Sequence, residues 1–138
     1  MSAIRILIAD DHALVRESIR AILANHRDME IVGTAGDGSE AVELALTHQP
    51  DVVVMDISMP SMDGLHATEL IHRAQEDTSI VILSMHVNAA LVQQALRMGA
   101  RGYVLKRRAT EELPDAIRAA MQGEVYLSPA IPPSFLPH

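Results

Sequence analysis

Four short apolar runs in this chain each end in a polar group. Asp10 and Asp11 follow Ile6-Leu7-Ile8-Ala9, and Asp56 follows Val52-Val53-Val54-Met55. Ser84 follows Ile80-Val81-Ile82-Leu83, and Lys106 follows Tyr103-Val104-Leu105. Helical patterns lie between the runs. That alternation predicts repeated βαβ units around a parallel sheet. In such a sheet all five polar groups emerge at one edge, the edge where ligands of open α/β sheets bind.

The elements can be placed from the residues. Ile4–Ala9 is the first expected strand. Leu14, Val15, Ile19, Ile22 and Leu23 then recur at helical spacing, with Asp11 as the expected N-cap. A second strand over 30–35 carries Glu30, Gly33 and Thr34, a polarity that suits a sheet edge. Asp37-Gly38 marks a turn. The next helix carries Ala41, Val42, Ala45 and Leu46 and stops before Pro50. Residues 52–55 are continuously apolar, as in a strand buried on both faces. Pro60 and Gly64 break the loop that follows. A helix is expected over 65–76, with Leu65, Thr68, Leu70 and Ile71 partly inward. Residues 80–83 form the fourth strand, and a helix over 89–98 ends on Gly99 as its C′ residue.

The run 103–105 is short, as an edge strand can be. Thr110 is the expected cap of the last helix, and Glu111 and Glu112 favour its first turn. Pro114 sits early there, where a missing N–H matters least. Leu113, Ile117, Ala120 and Met121 make the inner face, and Gly123 ends the helix. Right-handed crossovers place helices on both faces of the sheet. The expected fold is α/β: a flavodoxin-like (βα)5 doubly wound parallel sheet of order 2-1-3-4-5. That order sets the strands ending in Asp10-Asp11 and in Asp56 side by side. The domain covers 1–123. The segment 124–138 holds four prolines and no periodicity, and reads as a linker or exposed tail.

Composition removes several function classes. A length of 138 residues suits one domain with a real core. With no cysteine there is neither a disulfide framework nor a thiolate metal site, which fits a cytoplasmic setting. No apolar run approaches the roughly 20 residues of a membrane span, and the first residues lack a signal-peptide pattern. A net charge of −7 argues against nucleic-acid binding by this domain's own field.

The acidic trio carries the chemistry. Two carboxylates about 4 Å apart repel by about 4 kcal/mol at an effective dielectric near 20. Three in one crevice call for a counter-cation, and hard oxygen ligands on a half-open site favour Mg²⁺. Taken singly, Asp10-Asp11 could cap a helix, Asp56 could open a turn, and Ser84 could be an ordinary end-of-strand serine. Lys106 can place a point charge on a phosphoryl oxygen, or pair with Asp56 beforehand. Tyr103 could simply cover apolar surface.

Together, Asp10-Asp11, Asp56-x-x-Met59-Pro60 with Asp63-Gly64, Ser84 and Tyr103-x-x-Lys106 resemble the receiver domain of a two-component response regulator. The resemblance covers residues 4 to 122. It implies that Asp56 accepts a phosphoryl group from a histidine kinase. Asp11, Asp56 and the Ser58 backbone carbonyl would hold Mg²⁺, with Asp10 direct or through water. Ser84 and Lys106 would bind phosphoryl oxygens. Ser84 and Tyr103 would form the switch, the serine shifting toward the phosphate and the aromatic turning inward. Dimerisation on phosphorylation, by the fourth and fifth helices or by the first and last, stays open.

Gly123-Glu124-Val125-Tyr126-Leu127-Ser128-Pro129 resembles the linker of LuxR/NarL/FixJ-type regulators, which lead into a helix-turn-helix effector. Either a DNA-binding effector belongs to a longer protein, which the linker favours, or this is a single-domain phosphorelay or protein-binding receiver. Ser58 and His86, two residues after Asp56 and Ser84, fall where the family tunes phosphoryl lifetime. Arg107-Arg108 stand where an acidic or small polar residue is usual, and with Arg101 form a basic spot. The remaining histidines (12, 26, 48, 66, 72 and 138) lack metal-ligand spacing and receive no site. A phosphatase with an Asp nucleophile would want a second Asp at position 58, which is Ser. A flavodoxin-like electron carrier would want a Ser/Thr/Gly-rich phosphate loop after the first strand. The chain therefore reads as a phosphoryl acceptor rather than an enzyme.

Overall fold

Alternation along the strands divides the apolar residues between two layers. The structure, a computed structural model, describes residues 3–136. Met1, Ser2, Pro137 and His138 lie outside them. The strands are β1 (Ile4–Ala9), β2 (Met29–Ala35), β3 (Val52–Asp56), β4 (Ser79–Ser84), β5 (Gly102–Leu105) and β6 (Tyr126–Leu127). The helices are α1 (Ala13–Ala24), α2 (Gly38–His48), α3 (Gly64–Ala74), α4 (Ala89–Arg97) and α5 (Ala109–Met121). The sheet is parallel throughout, in the order β2-β1-β3-β4-β5-β6.

Leu7, Val53, Met55, Ile80, Ile82 and Tyr103 face α2, α3 and α4, where they meet Ala41, Ile71 and Val92. Their neighbours Ile6, Ile8, Val52, Val54, Val81, Leu83 and Val104 face α1 and α5, where they meet Ile19, Leu23, Leu113 and Ile117. A strand buried on both sides thus reads as an unbroken apolar run, although its side chains still alternate. Each large side chain removed from water stabilises by about 1.5–3 kcal/mol.

The flavodoxin-like order is as expected, with two corrections at the far edge. β5 is not an edge strand, because β6 pairs parallel to it, Gly102 opposite Tyr126 and Tyr103 opposite Leu127. The tail therefore folds back, and Ser128 and Ile131 are buried. The expected edge role of β2 holds.

Helix starts differ in detail. Asp37 does not merely turn the chain: its carboxylate caps α2 by accepting the Glu40 N–H at 2.8 Å. Asp11 does not cap α1. The N-cap is His12, whose N–H donates to Asp10 Oδ1 at 2.9 Å. Thr110 does not cap α5 either. A 3₁₀ turn, Lys106–Arg108, leads straight into that helix, so Thr110 already lies inside it. Met121, expected on the inner face of α5, is exposed, as are Leu14 and Leu46 of the apolar patterns in α1 and α2, since apolar spacing can span a wider arc than the strip that meets the sheet. Gly99 takes φ +109°, the left-handed conformation expected of a C′ residue.

Gly64 fixes α3 against the site. Its N–H donates to Ile57 O at 2.8 Å, and a Cβ there would lie 2.0 Å from Asp56 O. Only glycine permits that approach. Asp63 completes the start of the helix by accepting the His66 N–H at 2.8 Å.

Candidate functional site

The strand order brings three of the expected charged groups into direct contact. Asp10 follows β1, Asp56 ends β3 and Lys106 follows β5. Lys106 Nζ lies 3.0 Å from Asp10 Oδ2 and 3.1 Å from Asp56 Oδ1. Both carboxylates are buried, Asp10 at 0% exposure and Asp56 at 3%. One ammonium thus serves two carboxylates. Asp10 Oδ1 also takes the His12 N–H. Asp10 Oδ2 and Asp56 Oδ2 are both buried without a hydrogen-bond partner, but the Lys106 ammonium lies against the first and not against the second.

That imbalance shows in the proton affinities. Burial, and then the charge of Asp10, push the Asp56 pKa above its ordinary value, and Lys106 offsets this only in part. Burial works against the Lys106 ammonium, but hydrogen bonding to Asp10 and the charge of Asp56 outweigh it and raise its pKa. Lysine between two acids is held firmly charged; each acid has only a share of one cation.

Asp11 is part of the same edge but is more open. Its Oδ1 lies 3.1 Å from His12 Nδ1, which is 3.4 Å from Asp10 Oδ1. Among the described residues, the carboxylate and imidazole atoms that gather within 4.8 Å of one another belong to Asp10, Asp11 and His12, without Asp56. His12 is thus a neighbour that histidine spacing alone missed. Arg16 was missed as well; its guanidinium donates to the Asp10 backbone carbonyl at 2.6 Å from one turn into α1. The only signal for either was closeness in sequence to Asp10-Asp11. Ser58 lies exposed in the loop after β3.

The expected switch pair is joined through His86. Ser84 Oγ accepts the His86 N–H at 3.1 Å and donates to His86 O at 3.2 Å. The Tyr103 hydroxyl donates to the same carbonyl at 3.0 Å, and its ring is fully buried. Burial raises the Tyr103 pKa. The aromatic is therefore already inside, and Ser84 is engaged by the loop after β4. The basic spot divides: Arg101 donates to Gly123 O at 3.2 Å, Arg108 pairs with Glu112 at 3.2 Å, and Arg107 is exposed.

Known proteins resemble this chain in sequence and in fold. Residues 6–118 match the response regulator receiver domain family. Oxygen regulatory protein NreC of Staphylococcus carnosus (strain TM300) is 44% identical over 133 residues, which cover 96% of this chain and 61% of that protein. The chain thus spans about three-fifths of that curated relative. A crystal structure of a LuxR-family two-component response regulator from Aurantimonas sp. SI85-9A1 superposes with a TM-score of 0.90 at 37% identity, covering 94% of this chain and 93% of the other. The isolated receiver domain of RcsB from Salmonella enterica serovar Typhimurium, solved in the presence of phosphomimetic BeF3−, gives 0.87 at 28% identity, over 99% and 100% of the two chains. With the family matched across most of its length, the chain belongs to the response regulator receiver domains, on their LuxR/NarL side.

Proposed function

We propose that Asp56 is the phosphoacceptor and that the phosphoryl group comes from a histidine kinase. The observation that carries this is Asp56 Oδ2, a buried carboxylate oxygen without a partner, beside an ammonium on the other oxygen. An in-line attack needs such a free lone pair. The new O–P bond forms as the donor's P–N bond breaks. Lys106 then shifts from neutralising carboxylates to neutralising phosphoryl oxygens. Ser84 reaches those oxygens by exchanging its bonds to His86 for one to phosphate, and Tyr103 senses the change through the shared His86 carbonyl.

The residues fit Mg²⁺. Asp10, Asp11, Asp56 and the Ser58 carbonyl are hard oxygen donors, and the unpartnered Asp56 oxygen and its raised pKa both call for a cation. When bound, Mg²⁺ supplies charge neutralisation on the phosphoryl oxygens. The domain at 1–123 would pass its state through 124–138 to a helix-turn-helix effector in a longer cytoplasmic regulator of transcription. It would make no nucleic-acid contact of its own. No described helix is long and apolar enough to cross a membrane.

Intact mass after incubation with a small phosphodonor and Mg²⁺ tests the assignment. The expected result is one added phosphoryl group, absent in Asp56→Asn and with EDTA. A full adduct on Asp56→Asn refutes it.

A further inference from the structure

We infer that Ser128 and Glu112 are positioning residues for Lys106, which makes the segment after α5 a working part of the phosphoryl site. This rests on the phosphoacceptor reading above. The Leu105 N–H, one residue before Lys106, donates to Ser128 Oγ at 3.0 Å, across 23 positions of sequence. Ser128 Oγ in turn donates to Glu112 Oε1 at 2.5 Å. Glu112 Oε2 takes Arg108 Nε at 3.2 Å, and the Tyr126 hydroxyl reaches Oε1 at 3.4 Å. The 3₁₀ turn that begins at Lys106 is thus held at both ends by one buried pair. Its entry is fixed through Leu105 and its exit through Arg108.

The arrangement is specific to this turn. The ladder between β5 and β6 ends when the Ser128 N–H donates to Tyr103 O at 3.0 Å, so the Leu105 N–H has no strand carbonyl opposite it. A side-chain hydroxyl stands in for that carbonyl. Ser128 and Glu112 are 1% and 5% exposed. Burying a carboxylate is unfavourable unless its oxygens are bonded, and here both are. Lys106 must hold two carboxylates at 3.0 and 3.1 Å from a flexible four-carbon stem. Fixing its backbone limits how far the ammonium can wander. Loss of the hydroxyl leaves the Leu105 N–H and Glu112 Oε1 without their partner and frees the turn.

Beryllofluoride titration in Mg²⁺, on the whole 138-residue chain, separates positioning from mere tail anchoring. Ser128→Ala is expected to weaken binding about tenfold, as loss of one buried hydrogen bond implies. In a Lys106→Met background the same substitution is expected to change nothing further, because the lysine it orients is gone. Ile71→Val, a core truncation on α3 remote from this network, serves as a control for lost stability. Unchanged affinity in Ser128→Ala overturns the inference. So does an equal loss in Ile71→Val, or full additivity with Lys106→Met. If the parent chain binds no beryllofluoride, or Asp56→Asn binds it equally, the phosphoacceptor reading fails and carries this inference with it.

Discussion

Asp56→Asn should make the protein more stable in the absence of divalent cations. Removing a charge from an ion pair ordinarily destabilises, so the prediction depends on which effect is larger here. The Asp10 and Asp56 oxygens both lie about 3 Å from one nitrogen, hence at most about 6 Å apart, and at an effective dielectric near 20 they repel by about 3 kcal/mol. To this is added the loss of hydration at a side chain with 3% exposure and one bare oxygen. Against it stands the attraction of Lys106, which keeps Asp10 as a partner and can still donate to the asparagine oxygen. The raised pKa of Asp56 says that repulsion and burial win. Because Lys106 keeps Asp10 at 3.0 Å, no charge is left uncompensated, and the relieved repulsion less the lost attraction leaves a net gain of about 1 kcal/mol. That corresponds to roughly 3 °C in Tm for each kcal/mol in a domain of this size.

Urea and thermal denaturation in EDTA from pH 4 to 8 would measure it. A group whose folded pKa is raised gives most stability below its unfolded value, here 3.8, and loses it as pH rises through the folded pKa. The advantage of Asp56→Asn is therefore full above the raised folded pKa and vanishes toward pH 3.8. Added Mg²⁺ should shrink it, because the cation stabilises only the carboxylate form well. A variant no more stable than the parent at pH 7 in EDTA refutes the account of an under-compensated carboxylate.

Two other changes test parts of the fold away from the site. Arg118 clasps Asp28 with Nε and Nη2 both at 2.9 Å, and that hydrogen bonding lowers the Asp28 pKa. Both groups are some two-fifths or more exposed, so Arg118→Met should cost only about 0.5 kcal/mol after screening. The lowered pKa means this contribution is present above pH 3.8 and lost below it, which acid denaturation of the two proteins would show. Gln49 caps α2 at φ 48°, a conformation that costs a side-chain-bearing residue about 1–2 kcal/mol. Gln49→Gly should recover part of that, about 0.5–1 kcal/mol after the entropy of glycine, read as a higher urea midpoint.

The sequence was most legible where chemistry and periodicity coincide. Each buried strand is an apolar run, and each run ends at the residue that enters the site, so Asp10, Asp56 and Lys106 could be brought together from strand order alone. Two kinds of feature escaped. Caps depend on one residue's dihedral angles, so Asp11 looked as good a cap as His12 proved to be. β6 has two residues, too few to show any period, and its partner lies more than twenty positions away. Ser128 and Glu112 are ordinary polar residues in sequence; only the return of the tail shows that they share a buried contact.

The same return changes how a signal could leave the site. The Tyr103 hydroxyl is tied to His86 O, and the Tyr103 backbone carbonyl is tied to the Ser128 N–H. Lys106 follows Leu105, whose N–H is tied to Ser128 Oγ. Two of the groups expected to respond to phosphate are therefore one bond, or one residue and one bond, from the segment after α5. A packed core passes displacement between discrete arrangements rather than absorbing it. On the phosphoacceptor reading, a backbone shift at Tyr103 or Lys106 would be met either by the tail moving with β5 or by Ser128 releasing it, a route through the hydrogen bonds of Ser128 that does not need α4.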